Sequence, residues 1–206
     1  MSDATLEKYP GWTPKRCLAC KNQSTAKIST GKTPAARSSR SSSAYREENL
    51  TVAEVLAKYT DGPDAGVFTD GAADPNPGPG GWGAVYIVDN RIEGEQWGHA
   101  PHTTNNRMEL AALIAGCKLV PTGTAAVLYS DSQLCVNTIN LWAKGWKARG
   151  WKRKDGQIKN LELVQELYGI LEQRPELELR WIAAHSGLRW NEYADSLATA
   201  YRRTTR

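Results

Sequence analysis

Apolar positions recur along the chain with two different periods, and each period predicts its own kind of element. Gly66-Val-Phe-Thr-Asp70 is a short apolar run of the kind a buried strand requires, and Trp82 to Val88 and Glu95 to Ala100 read as antiparallel partners across Asp89-Asn90 and Gly94. Leu110, Leu113, Ile114 and Cys117 recur at i, i+3, i+4 and i+7, which predicts a helix over 105–119. Ala125-Ala-Val-Leu-Tyr-Ser130 has the pattern of a buried strand. Cys135, Ile139 and Trp142 predict a helix, as do Leu161, Val164, Tyr168 and Leu171. Leu177 to Ala183 alternates as a strand, and Trp190, Ala194, Leu197 and Tyr201 predict a closing helix. Asn76-Pro-Gly-Pro-Gly-Gly81 reads as a turn, too rich in Gly and Pro for a regular element. The order β-β-β-α-β-α-α-β-α describes an α/β fold, a mixed sheet with helices packed on it.

The amino-terminal part breaks this pattern. Residues 21–49 are poor in large apolar side chains and rich in Ser, Thr, Lys and Arg, so they bury too little surface to offset their ordering entropy and read as a disordered linker. Thr51-Val-Ala-Glu54 has capping-box spacing, followed by apolar positions at helical intervals, and predicts a short helix over 51–59. Asp61-Gly-Pro-Asp-Ala-Gly66 then punctuates the chain. The organisation expected is a basic, mostly disordered extension over 1–60 and a globular domain over 61–206.

Composition narrows the class. The 206 residues are 40% apolar and 23% charged, ordinary soluble usage, which excludes a wholly disordered chain. No run approaches the roughly eighteen apolar residues of a bilayer span, and the start has no secretory pattern, so no membrane partner is expected. Four cysteines in a chain this long do not make a disulfide scaffold, so a reducing, cytoplasmic setting is expected. Cys17-Leu-Ala-Cys20 offers two of the four ligands of a structural zinc site, but no second Cys pair or close His follows. A pair of reduced thiols is the favoured reading over zinc.

Charge changes the picture more. The net +4 conceals a local +5 over residues 1–60 and +6 over residues 142–159, against −1 over residues 61–206 as a whole. Two basic segments on a near-neutral body point to a polyanionic partner, nucleic acid ahead of an acidic membrane surface.

Two phrases rhyme: Val67-Phe-Thr-Asp70-Gly and Leu128-Tyr-Ser-Asp131-Ser, each an apolar run, a hydroxyl residue, an Asp and a small residue. A crossover helix over 105–119 makes their strands parallel, so both aspartates are expected at strand C-termini on one sheet edge. Carboxylates on neighbouring strands, ~4.8 Å apart, do not both ionise cheaply without a cation between them. Either Asp alone reads as a turn cap; the pair reads as a site for a hard metal. Glu109 near the start of the crossover helix, Asp195 beside the apolar stripe of the last helix with Asn191 one turn earlier, and His185 in the loop Ala183-Ala-His-Ser-Gly187 are further candidates. Helix-dipole stabilisation, a solvated helix flank and a plain loop residue are their respective structural alternatives.

The segments Thr69-Asp-Gly71, Asn76-Pro-Gly-Pro-Gly-Gly-Trp-Gly83, Thr103-Thr-Asn-Asn-Arg-Met-Glu-Leu110, Ser130-Asp-Ser-Gln133 and Asn191-Glu-Tyr-Ala-Asp-Ser-Leu197 closely resemble type 1 ribonuclease H of the bacterial kind, in order from about Gly66 to Arg202. The resemblance implies a ribonuclease H-like mixed five-stranded sheet, three antiparallel strands followed by parallel ones, with helices on both faces. It implies an endonuclease that hydrolyses the RNA strand of RNA–DNA hybrids, leaving 5′-phosphate and 3′-hydroxyl ends, and it gives the 61–206 domain this catalytic role. It places Asp70, Glu109, Asp131 and Asp195 at metal-ligand positions for two Mg²⁺ ions, with Mn²⁺ as a substitute, in a two-metal mechanism. It gives His185 a role in proton transfer or product release, and implies a monomer. The alternative is a hybrid-binding module without chemistry, which the presence of all four acids disfavours.

By the same resemblance, Asn76, Asn105 and Gln133 line the minor groove of the hybrid and sense the RNA strand, whose 2′-hydroxyl amide side chains can recognise. Thr104 matches part of a pocket for a DNA-strand phosphate and is also a natural N-cap. Leu141-Trp-Ala-Lys-Gly-Trp-Lys-Ala-Arg-Gly-Trp-Lys-Arg-Lys154 resembles the family's basic protrusion. There Lys144, Lys147, Arg149, Lys152, Arg153 and Lys154 supply phosphate contacts and Trp142, Trp146 and Trp151 supply flat faces. Two stretches depart from the family pattern. Ala72-Ala-Asp74 adds an acid near the metal ligands, and Ser186-Gly-Leu-Arg-Trp190 replaces a Gly-rich half-loop after the histidine. Residues 1–60 lie outside the resemblance, and the expectation for them is added nonspecific nucleic-acid affinity.

Overall fold

The computed structural model describes residues 49–154 and 156–204. The Cys17-Leu-Ala-Cys20 pair and all of the expected linker except Asn49 lie outside these residues. Strands β1 (Gly66–Ala73), β2 (Gly78–Val88) and β3 (Arg91–Thr103) form an antiparallel meander. Strands β4 (Ala126–Ser130) and β5 (Leu177–Trp181) continue the sheet in parallel with β1, giving the order β3-β2-β1-β4-β5. This is the mixed five-stranded sheet expected from the sequence.

Alternation along β1 divides the apolar side chains between two cores. Val67 joins Leu113, Cys117, Leu128 and Leu167 beneath helices α2 (Asn105–Leu119) and α5 (Leu161–Gln173). Phe68 faces the other way and joins Val55, Val85, Ile87 and Trp190 beneath α1 (Val52–Lys58) and α6 (Arg189–Ala198). Each such fully buried side chain contributes about 1.5–3 kcal/mol of burial free energy, so both faces of the sheet hold the fold together.

The ends of α2 are closed by side chains. Thr104 accepts a hydrogen bond from the Arg107 amide at 3.4 Å as N-cap. At the other end the Arg174 guanidinium donates to the carbonyls of Cys117, Val120 and Pro121 at 2.8, 3.0 and 2.9 Å, satisfying groups the helix itself leaves open.

Four local expectations are corrected. The Gly-Pro segment 78–81 is the first part of β2, and glycine at 81 lets α6 approach it: a Cβ there would lie 2.4 Å from the Ala198 carbonyl oxygen. The strand beginning at Gly66 runs past Asp70 to Ala73, paired throughout with β2. The helix predicted from Cys135, Ile139 and Trp142 is α3 (Gln133–Asn137), a π-helical turn (Thr138–Ala143) and α4 (Lys144–Ala148). The wider turn shifts the phase, so Ala143 takes the fully buried position and Trp142 is turned out, 41% exposed. The closing helix ends at Ala198, and α7 (Tyr201–Thr204) follows as a separate turn.

The helix predicted over 51–59 is α1, with both halves of its capping box formed by Thr51 and Glu54. It packs against α6 through Val55, and the Ser196 hydroxyl donates to the Leu50 carbonyl at 2.7 Å.

Candidate active site

The two rhyming aspartates meet. β1 and β4 are parallel with Thr69 opposite Ser130, so Asp70 and Asp131, one residue further on, emerge side by side. Asp131 follows the end of β4, as expected. Asp70 lies within β1, at the point where β1 runs on beyond its pairing with β4.

Glu109 comes to them from α2. A Cβ on Gly71 would lie 2.2 Å from the Glu109 amide nitrogen, so glycine there lets the second turn of α2 rest directly on the strand that carries Asp70. As a result Asp70, Glu109 and Asp131 each offer an oxygen, all within 4.8 Å of one another. Asp195 on α6 and His185, in the loop between β5 and α6, line the same cavity of about 490 Å³ together with Asp74, Asn76, Asn105, Asn191 and Arg202.

Burial and mutual repulsion make this cluster costly as an array of bare charges. Asp70 is pushed well above the usual carboxylate range first by burial, then by Glu109, Asp131 and Asp195. Glu109 is raised likewise by burial and then by Asp131, against a hydrogen bond from Ser130. Asp131 is raised by burial, opposed by hydrogen bonding from Asn191 and by the His185 charge. Two unit charges at such separations repel by about 3–4 kcal/mol at an effective dielectric of 20. The Glu109 Oε2 atom is buried and has no hydrogen-bond partner. Three hard carboxylate oxygens this close together, in a cluster with a buried oxygen that has no hydrogen-bond donor, fit a divalent cation.

His185 is exposed and has a left-handed backbone (φ 48°). Its loop is tied by the Gly187 amide, which donates to Glu192 Oε1 at 3.1 Å, and by the Ser186 hydroxyl, which donates to the Ala183 carbonyl at 2.9 Å.

The expected substrate residues fall into groups. Asn76 and Asn105 are linked at the cavity rim. Asn76 Oδ1 accepts from the Asn105 amide at 3.3 Å, and Asn105 Oδ1 accepts from the Ala73 amide at 2.6 Å. Thr104 is the N-cap of α2. Gln133 is exposed at the start of α3 and is not among the residues that line the cavity. Lys144, Arg149 and Lys152 are exposed, whereas exposed Lys147 is engaged with Glu172 and lies over the Tyr168 ring. Of the three tryptophans only Trp142 is open. Trp146 and Trp151 are half-buried against the α2–α5 core, Trp151 edge-on to Tyr168 at 6.0 Å.

Two residues of the site escaped the sequence reading as functional groups. Asn191 is buried and hydrogen-bonded to Asp131, and Arg202 reaches the cavity from α7. Asn191 carried a signal, since it stands four residues before Asp195 on one helical face, whereas Arg202 lies beyond the end of α6.

Comparison with known proteins agrees with this geometry. The family described as RNase H matches residues 63–203. The "Ribonuclease H" of Methylorubrum extorquens (strain PA1) is 44% identical over 137 residues, covering 66% of this chain; the chain spans 59% of that relative's length. The "Ribonuclease H" of Ehrlichia ruminantium (strain Gardel) is 46% identical over 133 residues, 64% of this chain and 90% of the relative. Among solved structures, LC9-RNase H1, described as a type 1 RNase H with the type 2 active-site motif, superposes with a TM-score of 0.56 at 31% identity, covering 71% of this chain and 76% of its own. A family match across the whole sheet and every helix that supplies a carboxylate identifies the chain as a member of the RNase H family, of type 1.

Proposed function

We propose that the chain is an endonuclease that hydrolyses the RNA strand of RNA–DNA hybrids, leaving 5′-phosphate and 3′-hydroxyl ends, with Asp70, Glu109, Asp131 and Asp195 holding two Mg²⁺ ions that Mn²⁺ can replace. The observation that carries this reading is the convergence of three carboxylate oxygens within 4.8 Å, one of them on a buried Glu109 whose Oε2 has no protein donor. Divalent ions bound there would supply Lewis acidity, lowering the pKa of an attacking water and stabilising the leaving 3′-oxygen.

The chain's own groups do the rest. Asn191 orients Asp131 by hydrogen bonding. His185, exposed on its tied loop, takes or gives a proton at the cavity mouth or helps the product leave. The side-chain oxygens of Asn76 and Asn105 are taken up by backbone amides, which leaves their NH₂ groups to donate to the 2′-hydroxyls of the RNA strand. Lys144, Arg149 and Lys152 contact phosphates and Trp142 offers a face for stacking, with Gln133 beside the groove.

The catalytic domain comprises 61–206 together with α1, whose Val55 belongs to the core under α6. The residues before it form a basic extension. No helix among the described residues is long and apolar enough to cross a membrane. Cys117 and Cys135, both free and buried, accord with a reducing cytoplasm, where the protein acts as a monomer in this reading.

A cleavage panel of RNA–DNA hybrid, duplex DNA, duplex RNA and single-stranded RNA, with and without Mg²⁺, tests the reading. Cutting confined to the RNA of the hybrid and dependent on the metal is expected; a metal-independent or duplex-DNA activity overturns it.

A further inference from the structure

The cavity that holds the carboxylates has an unequal charge balance. Asp70, Asp74, Glu109, Asp131 and Asp195 all line it, while among the described residues Arg202 is the only Lys or Arg that does. A phosphodiester entering such a cavity meets repulsion that cations deep in the cluster offset only locally. Arg202 is built to help at the rim. Its side chain is 23% exposed, its Nε donates to the Tyr201 hydroxyl at 3.2 Å, and its guanidinium lies 5.7 Å from the centre of the Tyr201 ring. These contacts steady the planar fork. One arm, Nη2, sits 3.9 Å from Asp74 Oδ2, and the Asp74 side chain is 71% exposed. A pair so long and so open to water contributes little and is readily exchanged for a better anion. A phosphate, which an arginine fork can engage through two parallel hydrogen bonds, is such an anion.

We infer that Arg202 binds a backbone phosphate of the RNA strand at the rim of the carboxylate cavity, and that Asp74 holds the guanidinium in place until the phosphate displaces it. This rests on the hybrid-cleaving function proposed above and adds a substrate contact to it. Asp74 thereby acts as a stand-in anion: it keeps Arg202 aimed into the cavity in the free protein and competes weakly with substrate.

The test measures binding of a fluorescein-labelled RNA–DNA hybrid to the Asp70→Asn protein, which keeps the hybrid uncut, by anisotropy across a salt series. Adding Arg202→Ala should weaken binding roughly tenfold at low salt, the scale of one charge-assisted hydrogen bond. It should also flatten the salt slope by about one, the signature of one lost phosphate contact. Arg202→Lys should restore the slope and part of the affinity, because it returns the charge without the fork. Asp74→Asn should tighten binding a few-fold. Unchanged affinity and slope in Arg202→Ala overturn the inference, as does a loss of affinity with an unchanged slope that lysine does not repair. If the alanine protein does not fold, Asp74→Asn decides: tighter binding supports the inference, and equal or weaker binding overturns it. Failure of the Asp70→Asn protein itself to bind hybrid would instead overturn the proposed function, so the two failures are distinguishable.

Discussion

Gly71 lies directly beneath Glu109, with no room between them: a β-carbon on the glycine would meet the glutamate's amide nitrogen at 2.2 Å and the Met108 carbonyl carbon at 2.3 Å. Both neighbours are backbone, so neither can swing aside. Gly71→Ala should push α2 away from β1, costing about 1–3 kcal/mol of stability as an overpacked contact does. Hybrid cleavage should fall further than stability alone explains, because Glu109 moves with the helix. Thermal melting and single-turnover cleavage of the variant check both effects.

Asp70→Asn should abolish cleavage while leaving fold and hybrid binding intact. In metal-free buffer it should also raise Tm, because it removes one charge from a buried cluster in which burial and three neighbouring acids oppose ionisation. A gain of roughly 1 kcal/mol corresponds to about 2–4 °C for a domain of this size. Mg²⁺ should stabilise the unaltered protein more than the variant, which calorimetry with and without the metal reads directly.

His185→Ala should slow turnover about a hundredfold or less without abolishing it, since the residue moves protons or product and lies on an exposed loop. Melting should be almost unchanged. Complete loss of activity would place His185 among the groups that hold the metals.

The tryptophans of the basic segment should separate by function. Trp142→Ala, at an exposed position, should weaken hybrid binding by the 1–3 kcal/mol typical of base stacking while sparing Tm. Trp151→Ala removes a ring packed on Tyr168 and the α2–α5 core, and should destabilise by about 2 kcal/mol or more. Urea denaturation and anisotropy measured on both variants should give opposite rankings.

Cys117 and Cys135 should weaken the fold at alkaline pH. Burial pushes both thiols from an ordinary value of 9.0 up to about 12. Below pH 9 the thiols are neutral in folded and unfolded chains alike, and their contribution is fully present. As pH rises toward 12 only the unfolded chain ionises, so stability falls. Replacing both residues with alanine should make the fall in urea midpoint between about pH 8 and 11 shallower, and an unchanged slope would show that other groups govern it.

Much of the site was legible in the sequence because it is built from local patterns. The apolar run and hydroxyl before Asp70 and Asp131 marked two neighbouring parallel strands, and the 3.6-residue period around Leu110 and Leu113 placed Glu109 on the helix that crosses between them. Asp195 beside the stripe of Ala194 and Leu197 read equally as a solvated helix flank, and only the family resemblance singled it out. What stayed hidden depends on contacts between distant segments. Gly78 to Gly81 read as a turn because local propensity counts glycine against a strand, whereas at Gly81 the approach of α6 requires it. Cys135, Ile139 and Trp142 read as one regular helix because a constant period cannot foresee the π-helical turn that gives the fully buried place to Ala143. Arg202 lies beyond the end of α6, so its place in the cavity, 3.9 Å from Asp74, depends on the break after Ala198 that no local pattern marks.

The four carboxylates are divided between the two layers that sandwich the sheet: Glu109 descends from one, Asp195 from the other. Neither layer alone can complete the cluster. A nascent chain made as far as Leu188 already carries Asp70, Glu109 and Asp131, yet it lacks the whole of the segment that brings the fourth acid and Asn191. On the proposed four-carboxylate site, scission is withheld during synthesis until translation has passed α6 and that helix has closed onto the sheet, so that cutting activity would itself report a finished fold.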